Sequence, residues 1–132
     1  MSPLEITQRF VERLNAHDLD GMVALLSQDH RFLDSLGTEA RGRETLREGW
    51  RAYFRMVPDY QVVVERTFND GRDVILVGVA RGTYTADGKL SKVNAWTTPA
   101  VWRARIGGDL LEEWQVYADN EPIRRCMARA SV

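Results

Sequence analysis

The chain has 132 residues, 44% of them apolar and 28% charged, which is the size and make-up of one folded domain and excludes a repeat array, a collagen or a disordered tail. With 18 Lys and Arg against 19 Asp and Glu, for a formal charge of -1, it has no positive field to draw in a phosphate backbone or an anionic membrane, so neither nucleic acid nor membrane is an expected partner. The longest apolar stretch, Val74 to Val77 resumed at Val79 and Ala80, falls far short of the ~20 residues that span a bilayer. Met1-Ser2-Pro3-Leu4-Glu5 shows neither part of an export signal, and the one cysteine, Cys126, allows no internal disulfide. Both observations lead to the expectation of a cytoplasmic protein.

Ser2, Pro3 and Glu5 supply a capping serine, a proline at the first helical position and a glutamate three residues after the cap, which predicts a helix from Pro3 to Asn15. Ile6, Phe10, Val11 and Leu14 form its apolar stripe. Asp18 caps a second, shorter helix carrying Leu19, Met22, Val23, Leu25 and Leu26, ended by Ser27, Gln28 and Asp29. In a short strand from His30 to Asp34, alternation places His30, Phe32 and Asp34 on one side. A loop around Gly37 and Gly42 leads to a third helix, in which Leu46, Trp50, Tyr53 and Val57 recur at helical spacing until Pro58 forbids continuation. From Tyr60 onward, β-branched and aromatic runs are punctuated by Asn69-Asp70-Gly71, Asp87-Gly88 and Gly107-Gly108, which predicts strands over 61–68, 73–85, 90–106 and 109–119. Pro122 opens a C-terminal helix ending near Arg129.

This order predicts a single α+β domain over residues 1–132: a cone-shaped, curved antiparallel sheet covered on its concave face by the three helices of the N-terminal half. Such a cone closes at one end around packed side chains and stays open at the other, where a ligand is expected.

The run from Arg9 to Leu26, the triplet Phe32-Leu33-Asp34, the stretch Gly42 to Glu48 and the C-terminal Leu111 to Asp119 resemble the nuclear transport factor 2-like superfamily, and within it the SnoaL-like and ketosteroid isomerase-like bacterial proteins. The resemblance spans essentially the whole chain and implies the cystatin-like α+β barrel of that superfamily. Its members include isomerases, polyketide cyclases, dehydratases, epoxide hydrolases and non-catalytic binding modules, so the resemblance leaves the reaction open. Ketosteroid isomerases use an aspartate base after the first strand and an oxyanion hole made of a tyrosine and a protonated aspartic acid. Asp34 stands at the position of that base. The resemblance puts Phe10 at that of the tyrosine and Ala100, or a neighbour if the strand register slips, at that of the acid, so both donors of the steroid reaction are expected to be missing.

Asp34 is accordingly the candidate catalytic residue. A lone carboxylate among Phe32, Trp50 and Trp96 suits a general base that takes a proton next to a carbonyl; the structural alternative is bracing of the following loop by backbone hydrogen bonds. Phe10, Phe32, Trp50, Tyr53, Trp96, Thr98, Trp102, Gln115, Tyr117 and Asp119 are the candidate ligand contacts. The aromatics offer area with polar handles for a flat, ring-bearing molecule, and Thr98 and Gln115 offer neutral hydrogen bonds. Asp119 is a second carboxylate, with helix capping before Pro122 as its alternative. His17 and His30 have no partners at metal-ligand spacing, so neither a metal nor a cofactor is expected. Trp114, Val116 and Ala118 are expected on the outer sheet face beside Arg103 and Arg105, an apolar patch that predicts a sheet-to-sheet homodimer. The expected function is binding of a small apolar or aromatic molecule, with Asp34 as general base in an isomerase- or cyclase-like proton transfer. The alternative is a non-catalytic ligand-binding or protein-interaction module of the same fold.

Overall fold

A computed structural model describes residues 1–130. Helix α1 (Pro3–Asn15) and helix α2 (Leu19–Ala24) are followed by strands β1 (Leu26–Leu33) and β2 (Glu39–Arg41) and by helix α3 (Arg43–Met56). Strands β3 (Gln61–Asp70) and β4 (Asp73–Thr83), a 3-10 turn (Lys92–Asn94), strands β5 (Ala95–Gly107) and β6 (Leu110–Ala118), and helix α4 (Glu121–Ala130) complete the order. The six strands form one curved, unclosed sheet in the order β2-β1-β6-β5-β4-β3, antiparallel throughout except where β1 runs parallel to β6.

Helix α1 starts where its capping box places it: the Glu5 amide donates to Ser2 Oγ at 3.1 Å and the Ser2 amide to Glu5 Oε1 at 3.4 Å. Its apolar stripe is wholly buried on the sheet, with the Phe10 ring 4.9 Å from that of Trp114. At its C-terminal end Asn15 bonds β3 twice, donating to the Val62 carbonyl at 2.9 Å and accepting from the Val62 amide at 2.8 Å. Beside it His17 donates through Nε2 to the Tyr60 carbonyl at 2.8 Å. These three bonds fix the start of β3, and with it Tyr60, against the end of α1.

Two bulges bend the sheet. In the first, β3 slips by one residue between Val64 and Arg66 opposite Gly78, where a Cβ would lie 1.9 Å from the Val63 carbonyl oxygen. Glycine is required there because the neighbouring backbone occupies the space of a side chain. In the second, the β5–β6 register shifts between Arg105 and Ile106.

Four expectations change. Residues 26–29 are the first half of β1, not the end of the second helix, because Leu26 pairs with Leu111 of β6 and its carbonyl is held by Arg43 Nη2 at 2.6 Å. The loop around Gly37 contains β2, which pairs with β1 through Arg31 and Arg41. The strand expected over 90–106 begins at Ala95, after the 3-10 turn. On β6 the faces are exchanged: Trp114, 1% exposed, lies in the core, and Tyr117, 49% exposed, lies outside. A bulge-free hairpin closed at Gly108 and Asp109 would set Trp102 opposite Gln115; the extra residue at the second bulge sets it opposite Val116 instead. One residue of slip turns every later side chain to the other face.

Candidate functional site

The concave face of the sheet, helix α3 and the β1–β2 hairpin enclose a cavity of about 460 Å³. Strand β1 contributes Phe32, with Asp34 just beyond its end, and helix α3 contributes Leu46, Gly49, Trp50 and Tyr53. Alternation on β5 supplies Trp96 and Thr98, that on β6 supplies Val116 and Ala118, and Tyr60 and Asn120 close the lining. Trp50 and Tyr53 reach the same wall because residues three apart share a helix face.

The aromatic rings make an unbroken arc. Phe32 meets Trp50 edge to face at 5.8 Å, Trp50 meets Tyr53 at 6.1 Å, Tyr53 meets Tyr60 at 5.0 Å, and Tyr60 leans on Trp96 at 6.2 Å. This geometry favours a flat apolar guest. Burial pushes both phenols, Tyr53 and Tyr60, far above the ordinary tyrosine range, and Tyr60 is pushed further by the nearness of Tyr53, so both remain O–H donors at any working pH.

Asp34 closes the β1–β2 hairpin and also faces the cavity. Its Oδ1 accepts the backbone N–H groups of Leu36 and Thr38, each at 2.9 Å, while among the described residues nothing donates to Oδ2. The chain therefore carries out the bracing role, yet leaves one carboxylate oxygen without a donor among the described residues. Glu39, at the same rim, is committed to Arg31 and to Arg41 at 3.1 Å, and its hydrogen bonds, that from Arg31 foremost, hold it below the usual carboxylate range. Thr98 Oγ1 donates to the Asp119 carbonyl at 2.9 Å, and Asn120 Nδ2 to Ser35 Oγ at 2.6 Å.

The structure thus brings Asp34, Phe32, Trp50, Tyr53, Trp96 and Thr98 together around one cavity and places five candidates elsewhere. Phe10 and Trp102 are wholly buried in the core beneath it. Gln115 lies on the outer face, accepting from Arg103 Nη2 at 2.9 Å, and Tyr117 is exposed there, as the β6 bulge dictates. Asp119 accepts the Glu121 amide at 2.9 Å, capping α4. Sequence reasoning missed Tyr60, Val116, Ala118 and Asn120. Tyr60 follows the Pro58-Asp59 break and belongs to no periodic run, whereas Val116 and Ala118 were assigned to the wrong face.

His30 shares the Phe32 side of β1 but is sealed in the core: its Nδ1 donates to the Leu111 carbonyl at 2.8 Å and its Nε2 has no partner. Burial lowers its pKa below the ordinary histidine value. Among the described residues no group of three or more His, Cys, Asp or Glu is placed to hold a metal ion, and no helix is long and apolar enough to cross a membrane.

The outer sheet face carries charge. Arg31 pairs with Glu39 and with Glu113, Arg103 with Glu113 at 3.1 Å and Asp73 at 3.4 Å, and Arg105 with Asp73 at 3.2 Å. The apolar patch of Trp114, Val116 and Ala118, on which the homodimer expectation rested, faces inward.

A family model described as the SnoaL-like domain matches residues 7–113. No curated protein matches the chain. Among solved structures, the fold is similar to a protein of Shewanella denitrificans assigned as a SnoaL-like polyketide cyclase, with a TM-score of 0.82, 17% identity, and coverage of 96% of this chain and 97% of that one. It is also similar to a nuclear transport factor 2-like protein of Burkholderia thailandensis (TM-score 0.80, 18% identity, 96% and 98% covered). A third likeness is to a protein of Catenulispora acidiphila with a ketosteroid isomerase-like fold, solved with trimethylamine (TM-score 0.73, 18% identity, 89% and 86% covered). At these identities the likeness is one of fold.

Proposed function

The chain belongs to the SnoaL-like domain family, and from that premise we propose that it binds a small, largely apolar, ring-bearing molecule in the cavity and uses Asp34 there as a general base in an isomerase- or cyclase-like proton transfer. The observation that carries this reading is the coincidence, in one aromatic-walled cavity, of a fixed carboxylate and a free oxygen on it. Oδ1, tied to two backbone amides, holds the group in place, and Oδ2 is left to meet a substrate proton. In the step so enabled, a C–H bond next to a carbonyl breaks. Its proton goes to Oδ2 and its electron pair moves toward the carbonyl oxygen, giving an enolate that is reprotonated or adds to an electrophile within the same molecule.

The experiment is a thermal-shift screen of the wild type and Asp34→Asn against cyclic ketones, steroids, phenols and polyketide-like aromatics. A guest at a hundred times its Kd stabilises the native state by about 2.7 kcal/mol. Ligands found this way are then incubated in D2O, and exchange of the protons next to the carbonyl is followed by NMR. Exchange that the wild type catalyses and Asp34→Asn does not supports the base; equal exchange by both removes it. The brace made by Oδ1 favours a second reading, a non-catalytic binding module in which Asp34 only shapes the rim. It predicts unchanged affinity and no exchange by either protein.

A further inference from the structure

The cavity wall holds two phenolic hydroxyls that no other described residue engages. Tyr53, on α3, and Tyr60, at the head of β3, lie edge to face with centroids 5.0 Å apart, and both line the cavity. Neither hydroxyl donates to, or accepts from, another group among the described residues. The sealed polar atoms without partners are His30 Nε2, Trp96 Nε1 and Trp114 Nε1; the two phenolic oxygens are not among them, so neither is fully sealed. An unsealed hydroxyl without a protein partner bonds water in the ligand-free protein and can exchange that water for a polar guest. Phenylalanine at either position would keep the ring packing, so packing does not account for the hydroxyls.

We propose that the hydroxyls of Tyr53 and Tyr60 form the oxygen-recognition site of the cavity, donating to the carbonyl oxygen of a ring-bearing ketone or to the enolate oxygen derived from it. This rests on the reading of the cavity as a ligand site and narrows the ligand class from apolar ring to ring-bearing ketone. Several features agree. The phenols stay protonated, so they offer hydrogens and not charge to the guest. Their surroundings are aromatic, and an O–H donor aimed at developing negative charge is strongest where the local dielectric is low. Of the other neutral polar side chains that line the cavity, Thr98 spends its hydrogen on the Asp119 carbonyl and Asn120 one of its two on Ser35, while Thr38 and Thr45 are exposed to solvent. The pair also supplies what Phe10 and Ala100 lack: Phe10 is wholly buried and Ala100 nearly so, and neither side chain has a hydrogen to donate. Tyr60 is held in place by its own backbone, whose carbonyl accepts from His17 Nε2 at 2.8 Å and from Gln61 Nε2 at 3.0 Å.

The test uses a matched pair of probes, 1-tetralone and its hydrocarbon analogue tetralin, titrated calorimetrically into the wild type, Tyr53→Phe, Tyr60→Phe and the double variant. Each hydroxyl lost is expected to weaken tetralone by roughly fivefold and to leave tetralin within about twofold of its wild-type affinity, a split that a packing defect would not produce. The carbonyl stretching band of bound tetralone should lie lowest in the wild type and rise with each hydroxyl removed. Equal losses for the two probes, or a carbonyl band and a tetralone affinity indifferent to both substitutions, would overturn the oxygen site while leaving the cavity as a ligand site. Failure of both probes to bind the wild type would overturn the cavity reading and this inference together.

Discussion

Substitutions at Asp34 separate its two roles, because each carboxylate oxygen does something different. In Asp34→Ala the backbone N–H groups of Leu36 and Thr38, each donating to Oδ1 at 2.9 Å, lose their acceptor. Both lie at the exposed rim, so water replaces part of what is lost. At roughly 0.5–1.5 kcal/mol net per hydrogen bond, discounted for that exposure, the expected cost is about 1–2 kcal/mol. The backbone bonds that also close the hairpin, Asp34 amide to Thr38 carbonyl and Gly37 amide to Asp34 carbonyl, both 3.0 Å, remain and hold the cost to that range. Asp34→Asn keeps a carbonyl oxygen in the Oδ1 position and gives up only the charge assistance, for an expected cost under about 0.5 kcal/mol. In a domain of this size each kcal/mol moves Tm by about 3–5 °C, so thermal melts followed by circular dichroism resolve Asn from Ala. The same proteins enter the proton-exchange assay. The expected pattern is a near-native melting point with exchange abolished in Asp34→Asn, and both properties impaired in Asp34→Ala. An Asn variant as unstable as the Ala variant would refute the assignment of the brace to a single oxygen, and an Asn variant with wild-type exchange would refute the base.

Four further outcomes follow from the same structure. Trp114→Ala should cost about 3–5 kcal/mol in urea unfolding and Tyr117→Ala about 0.5 kcal/mol or less; a reversed order would restore the bulge-free register of β6. Gly78→Ala should destabilise by roughly 2 kcal/mol or more, because its Cβ would meet the Val63 carbonyl oxygen, and a wild-type unfolding midpoint would contradict the bend placed there. Tyr60→Phe should leave the ligand-free protein at least as stable as the wild type, since the lost hydroxyl has no partner; a loss of more than about 1 kcal/mol would reveal a hydrogen bond after all. Burial keeps His30 neutral by lowering its pKa, so the unfolded chain takes up this proton first as the pH falls. Its contribution to stability is complete above about pH 6.5 and is lost below it, down to the depressed value, by at most about 1.4 kcal/mol per pH unit. Urea midpoints at pH 7.5 and 5 should therefore fall more for the wild type than for His30→Gln, and an equal fall would refute the assignment.

What the amino-acid sequence determined by itself is what depends on neighbours a few residues away. Ser2, Pro3 and Glu5 start α1, the spacing of Leu46, Trp50 and Tyr53 makes α3 and turns one face of it inward, and the Gly71 and Gly108 turns separate the long strands, all through contacts within one turn or one hairpin. The same local logic put Phe32 and Asp34 on one side of β1 and Trp96, Thr98 and Trp102 on one side of β5. Tertiary structure decided the rest, because its causes are far apart in the chain. Residues 26–29 read as a helix end until Leu26 finds Leu111, a strand pairing across 85 positions. Gln115 and Tyr117 read as inward until a single extra residue in the β5–β6 ladder exchanges the faces of β6 and brings Val116 and Ala118 to the cavity. Tyr60, outside any periodic pattern, becomes a wall of the site because Asn15 and His17 anchor the start of β3 to the end of α1. Periodicity reports which residues share a face of an isolated element; which face turns inward, and what it meets there, is set by backbone pairing between distant strands, and a bulge changes that outcome without changing the pattern from which the face was read.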